Sequence, residues 1–231
     1  AYDRKSMVGR ELKKITTMRK LLLISIMIIA IATACRKRKD DVSKVVVVPT
    51  MQVAGEKFIS IRVGDPMPAD EGATVVNDAP LQGDANVKAV ENTVDVNTPG
   101  MYYMLYQTKT KNGYTVGAAR YVAVTNYDDT EDLSGLYSRA GTPNVVEIER
   151  LARGLYVNKD MGGAGLSDAL YFTVINETTI AAGPQYSESL GVVIGTSDES
   201  LEIIPDTSIT IMYALDAPGY GTAVRTFIKE K

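Results

Sequence analysis

The chain has no histidine, no tryptophan and a single cysteine in 231 residues. Each absence excludes some chemistry. Without histidine there is no imidazole to act as a base near neutral pH, and the commonest metal ligand is missing. Ser-His-Asp and Cys-His catalysis and zinc hydrolysis of the usual kind are thereby excluded. One thiol makes no internal disulfide, so no disulfide framework supports the fold. Without tryptophan, stacking falls to the 13 tyrosines, against only 3 phenylalanines. Positive charge is sparse in the body of the chain, because basic residues crowd into its N-terminal part. An acidic body lacks the footprint that nucleic acid requires. No catalytic constellation, metal-ligand spacing or cofactor motif stands out. The expectation is a protein that is not an enzyme, with no cofactor, no metal and no nucleic-acid partner.

What is present begins near the N-terminus. Residues 18–34 run from Arg19-Lys20 through the apolar stretch Leu21 to Ala34 and end on Ala32-Thr33-Ala34. That stretch is shorter than the ~20 residues that span a bilayer as a helix. Its layout is that of a helical signal peptide, with a positive start, a short apolar core and small residues before a cut. Cys35 follows directly, and the segment resembles the lipobox of bacterial lipoproteins, with Ala32 where the common pattern has leucine. The resemblance implies acylation of Cys35, cleavage before it and a lipid anchor in the outer membrane. Acylation also removes the liability of a free thiol in an oxidising compartment. Residues 1–17 are polar and basic and read as upstream sequence, with Met18, or alternatively Met7, as initiator. Residues 35–44 form the lipidated cysteine and a solvated tether. Within it, Lys39-Asp40-Asp41 resembles the surface-export signal of Bacteroidota lipoproteins, which implies display at the cell exterior.

Beyond the tether no helical periodicity appears. Short runs of Val, Ile, Tyr and Thr, punctuated by Gly, Pro, Asn and Asp, predict an all-β protein. Val45–Val48 reads as a first strand, and 57–63 alternates with Phe58, Ser60 and Arg62 on one face. Residues 101–110 and 114–125 flank Asn112-Gly113, a hairpin signal because both residues tolerate positive φ. Asn126 to Asp132 is acidic and breaks the pattern. It predicts a linker at 127–132 between domains at 45–126 and 133–231. Its clustered oxygens suit a hard cation, but the spacing departs from an EF-hand loop and no metal is assigned. In the second domain, strands are expected at 145–150, 154–158, 170–175, 179–182, 190–194, 200–204, 208–215 and 222–229. Eight short strands at this spacing fit an antiparallel β-barrel or sandwich.

A family resemblance follows from Val63-Gly64-Asp65, Glu71-Gly72-Ala73, Val94-Asp95, Thr98-Pro99-Gly100-Met101-Tyr102 and Arg120-Tyr121-Val122-Ala123-Val124. Together they resemble a bacterial immunoglobulin-like domain of a family described only as a domain of unknown function. That implies an immunoglobulin-like β-sandwich with Tyr102, Met104, Tyr106, Val122 and Val124 inside, a spacer or adhesive module, and no catalytic residues. The stretch Asp132-Leu133-Ser134-Gly135-Leu136-Tyr137 resembles the start of the C-terminal β-domain of small Bacteroidota surface lipoproteins. By analogy of layout it implies a ligand-binding accessory to an outer-membrane transporter complex for nutrient uptake, with a glycan or peptide as ligand. The alternative is a structural or adhesive envelope lipoprotein such as a fimbria-associated component.

Three sets of residues are candidates for contact. Met101, Tyr103, Leu105 and Tyr121 form an apolar outward face, which reads either as a partner surface or as packing against the second domain. Asn158 to Gly165 is the most glycine-rich stretch; it lacks the ending of a phosphate-binding loop. It predicts a flexible hairpin loop, or a ligand loop in which Lys159 and Asp160 act near Tyr156 and Tyr171. Tyr186, Tyr213 and Tyr220 offer rings for stacking on a sugar or peptide side chain, with half-buried packing as the alternative. Glu147 and Glu149 share a strand face, but nothing places them across a cleft as a glycosidase pair requires.

Overall fold

The computed structural model describes residues 49–76, 86–110 and 113–231. Cys35, Lys39, Asp40, Asp41 and the strand expected at Val45–Val48 lie outside them. The described residues belong to one compact unit that runs to Lys231. They are all β, with sixteen strands and no helix among them.

The first half supplies β1 (Thr50–Val53), β2 (Phe58–Ile61), β3 (Ala73–Val76), β4 (Asn86–Val87), β5 (Ala89–Asn92), β6 (Gly100–Lys109) and β7 (Thr115–Val124). They form a three-stranded sheet, β1-β3-β4, and a four-stranded sheet, β2-β7-β6-β5. Two-residue alternation decides the packing. Met104, Tyr106 and Ala118 meet Val53, Ala73 and Val87 between the sheets. Val122 and Val124 meet Ile59 and Ile61, with Tyr102 packed against them. At the β6–β7 hairpin, Gly113 takes φ +84° and donates its N–H to Thr110 O. A positive φ at that turn is what glycine supplies without steric cost.

The second half supplies β8 (Gly135–Arg139), β9 (Val145–Ala152), β10 (Leu155–Asn158), β11 (Leu170–Asn176), β12 (Thr179–Ala181), β13 (Gln185–Ser187), β14 (Val192–Ile204), β15 (Ser208–Asp216) and β16 (Arg225–Glu230). They form one sheet in the order β12-β11-β10-β9-β8-β16-β15-β14-β13, antiparallel throughout. The sheet curls until β12 at one end lies beside β14: Leu201 of β14 donates to Thr178 O next to β12, and Ala182 N donates to Glu199 Oε1. The inner face of this half-barrel is the main core, with Tyr137, Ile148, Phe172, Ile211 and Phe227 fully buried. The strands expected at 190–194 and 200–204 are one strand, β14. A bulge between Ser197 and Ser200, with Asp198 at φ +54°, bends it locally.

The outward apolar face of β6 and β7 is an internal contact. Met101, Tyr103, Leu105 and Tyr121 are 4%, 2%, 6% and 0% exposed and pack with Leu155 and Tyr186 of the second half. The alternation that turns these side chains outward holds; what covers them is the chain itself, which corrects their reading as a partner surface. Tyr121 stacks on Tyr171 with ring centroids 3.9 Å apart and donates its hydroxyl to Tyr186 O at 2.6 Å. Glu188 accepts from Ala119 N and from Lys57 Nζ across the same contact.

The acidic segment 126–132 is fastened as well. The side chain of Asp129 is 7% exposed and pairs with Arg150. Its Oδ1 also accepts from Gly154 N and from the Tyr156 hydroxyl. These carboxylate oxygens serve the chain's own donors, and no metal-ligating cluster occurs among the described residues.

Candidate functional site

Register places the polar residues of interest. Tyr213 pairs with Arg225, Ile211 with Phe227, and Phe227 with Arg139. Opposite partners share a face of the sheet, so Tyr213, Arg225 and Arg139 stand on the inner face with Phe227. All three lie at the end where β8, β10 and β15 finish and β16 begins. Two guanidiniums thus enter one end of an otherwise apolar half-barrel.

The glycine-rich stretch closes this end. It is not a free loop: Met161, Gly162 and Gly163 are buried, while Lys159 and the run Ala164 to Ser167 are exposed. Gly163 O accepts from Arg139 and from Asn144 Nδ2 at 2.8 Å, and Gly163 N donates to Asp160 O. A Cβ on Gly162 would lie 2.4 Å from the Tyr220 ring, so only glycine lets that ring close over the backbone. The Tyr220 hydroxyl donates to Asp168 Oδ2 at 2.6 Å. Tyr213, fully buried, donates to Met161 O and accepts from Asn158 Nδ2. Burial pushes both phenols well above their usual range; the carboxylates of Asp168 and Asp160 add to the rise at Tyr220. Hydrogen bonds from Ser189 and Tyr220 hold Asp168 below the usual carboxylate value.

Two buried polar atoms here have no hydrogen-bond partner, Asp160 Oδ1 and Arg225 Nε. Arg225 is only 7% exposed; its other guanidinium nitrogens donate to Ala223 O and Gly221 O. Desolvation, then the neighbouring Arg139 cation, lowers its pKa. Buried donors and acceptors are almost always satisfied. An orphan of each kind in one cluster leaves this end of the half-barrel incompletely paired by the chain's own groups.

The other residues singled out in the sequence lie elsewhere. Tyr156 is fully buried, stacked on Phe172 and bonded to Asp129, and cannot offer a ring to a ligand. Tyr186 is 7% exposed in the contact between the halves. Lys159 is exposed and bridges Glu147 and Glu149 at 3.0 and 2.8 Å. Of that set, the structure brings together Asp160, Tyr213 and Tyr220, with Tyr213 reachable only from within. Arg139, Asn158, Asp168 and Arg225 were not singled out. The signal for Arg225 was present: Arg225 and Phe227 occupy one face of an alternating strand, and an arginine on a strand's apolar side is rarely idle.

Open depressions lie elsewhere. One of 330 Å³ lies between the halves, beside Pro99, Met101, Tyr102 and Pro184. Two adjoining ones of 410 and 590 Å³ flank Glu177 and Thr178, with Asp128, Glu131 and Glu202 around them. None of the three is lined by an unsatisfied buried side chain among the described residues.

No family model matches the chain, and no curated protein matches it. Among solved structures, a lipoprotein from Bacteroides thetaiotaomicron is similar at 20% identity over 80% of this chain and all of that one, with a TM-score of 0.34. That likeness is loose, and nothing about this chain's site follows from it.

Proposed function

We propose that this chain is a lipid-anchored cell-surface protein that binds a ligand without transforming it, as an accessory to an outer-membrane uptake system. The observation that carries the binding role is the pair of orphan atoms, Asp160 Oδ1 and Arg225 Nε, beside Tyr220 at one end of the half-barrel. Location rests on the signal layout before Cys35 and on Lys39-Asp40-Asp41 behind it. The β-sandwich serves as a stalk, joined to the half-barrel through the Tyr121–Tyr171 stack. The absence of histidine leaves binding without chemistry as the simpler role.

The test has two arms. Cys35→Ala should lose fatty-acid labelling and leave the membrane fraction; a variant that stays labelled would remove the anchor. The full chain in detergent, titrated with a panel of glycans and peptides, should show saturable binding. A panel with no binder would remove the ligand role. That result would favour the envelope-component reading, for which Leu136 and Val145, 67% and 57% exposed on the outer face of β8 and β9, offer an apolar contact.

A further inference from the structure

Strand direction places the point where the described chain begins. β7 runs from its hairpin turn at Gly113 towards Thr125, where it meets the half-barrel. β6 is antiparallel to β7, and β5 is antiparallel to β6. β4 leads directly into β5, and β3 and then β1 each reverse direction. Thr50, which opens β1, therefore lies at the Gly113 end of the sandwich. The half-barrel flanks the sandwich: Thr125, Tyr121 and Ala119 along β7 meet Val174, Tyr171 and Glu188 in turn. The start of β11 at Leu170 thus points to the Gly113 end too.

That end of the half-barrel carries four hairpin loops, 140–144, 159–169, 188–191 and 217–224. Three of them touch: Tyr220 lies against Gly162, and Asp168 accepts from Tyr220 and Ser189. Loops 140–144 and 217–224 contain no charged residue. In the other two, Lys159 pairs with Glu147 and Glu149, and Glu188 with Lys57. Asp160 accepts from Gly165 N and Asp168 from Tyr220. What meets water is aliphatic: Leu166, Val193 and Val224 are each about half exposed, and Val145 and Val192 are exposed as well. The opposite end is charged, with Arg153, Glu177 and Asp206 in its loops and four acids between Asn126 and Leu133.

We propose that the aliphatic end rests on the lipid surface to which Cys35 anchors the chain, with Leu166, Val193 and Val224 entering its apolar boundary. The proposal rests on the lipid-anchor reading and goes beyond the ligand role. It uses the loop tips, not the enclosed Asp160 Oδ1 and Arg225 Nε behind them. Exposed aliphatic groups gain by leaving water, whereas charged loops would resist the transfer. The chain leaves the fold on the same side. Cys35 stands 14 residues before Pro49, a reach of at most ~50 Å even at full extension. A tethered end meets the surface at high effective concentration, so a few aliphatic side chains suffice.

The experiment uses the acylated protein, purified from membranes and reconstituted in phosphatidylcholine vesicles. Leu166→Cys, Val193→Cys, Val224→Cys and Ile204→Cys are labelled one at a time with an environment-sensitive fluorophore; Cys35, being acylated, does not react. Ile204 is an exposed aliphatic residue of the opposite end. Labels at the first three positions should shift to the blue and be quenched by a shallow spin-labelled lipid. The label in Ile204→Cys should do neither. Raised salt should leave the signals unchanged, since no charge takes part. Leu166→Glu combined with Val193→Glu should abolish the shift and quenching of the Val224→Cys label, with near-UV circular dichroism to confirm the fold. Labels at Leu166→Cys and Val193→Cys that match Ile204→Cys would overturn the proposal, as would a Val224→Cys signal that the two glutamates leave intact. A blue shift that grows with protein concentration and escapes the lipid quencher would overturn it in favour of a second copy. A signal that needs anionic lipid would overturn the apolar seat in favour of headgroup contact. Absence of fatty acid on Cys35 is read separately by labelling; it would remove the anchor and the proposal with it.

Discussion

Arg120 is 2% exposed, yet its guanidinium is fully engaged: it pairs with Asp70 at 2.8 Å and donates to Glu56 O and Ala54 O. Asp70 Oδ1 also accepts from the Tyr106 hydroxyl, so one charge ties two loops to the centre of β6 and β7. Removing it leaves Asp70 without its cation and two carbonyls without donors. Arg120→Met should therefore cost about 3 kcal/mol, the low end for breaking such a pair because Asp70 keeps 27% exposure; urea unfolding measures it. Gly162 acts by lacking a side chain. Gly162→Ala should push Tyr220 off its place and cost ~1–3 kcal/mol by overpacking, read as a lower thermal midpoint. The same contact responds to pH. Asp168 is held below its ordinary 3.8 in the fold, so its contribution is present above that value and is lost as pH falls through the lower one. The near-UV signal of Tyr220 should change below about pH 4, and Asp168→Asn should abolish that change.

At the scale of elements, β6 and β7 are legible as one hairpin because Gly113 marks their turn, but they are apolar on both faces, so the inward side of Tyr102, Met104 and Tyr106 follows from the family resemblance and not from alternation. β13 is three residues long and β8 begins on glycine, too little pattern for either to stand out. The sequence divides β14 because the polar residues Thr196 to Glu199 separate the runs at 190–194 and 200–204. In the structure Asp198 takes φ +54° inside a bulge and the strand continues. Aspartate tolerates that conformation and β-branched residues do not. Asp198→Val should thus cost ~1–2 kcal/mol in thermal unfolding, whereas Asp198→Gly should stay near the wild-type midpoint. The candidate site was half legible for a related reason. Asp160, Tyr213 and Tyr220 are chemistry-bearing residues in or beside turns, where such residues draw notice. Arg139 and Arg225 sit at strand ends, and only the pairing β8-β16-β15 brings them together. Register between strands this far apart in sequence is set by tertiary packing and is not written locally.

Across the whole molecule, the contact between sandwich and half-barrel decides how the protein unfolds. Tyr121 lies at its centre, 0% exposed, stacked on Tyr171 and bonded to Tyr186 O. Met101, Tyr103 and Leu105 surround it, and Thr125 donates to Val174 O where the chain leaves the sandwich. Each half therefore buries apolar surface that it can cover only with the other. The ion pair of Lys57 with Glu188 adds little by itself, with both side chains about a third exposed. The halves should melt as one cooperative unit, with calorimetric and van't Hoff enthalpies agreeing. Tyr121→Ala should lower that single transition by about 3–5 kcal/mol, the usual cost of emptying a large aromatic site. Two separate transitions in the unaltered protein would mean that the shared core does not couple the halves. Each half would then fold on its own, and Tyr121→Ala would lower only the transition of the half it destabilises.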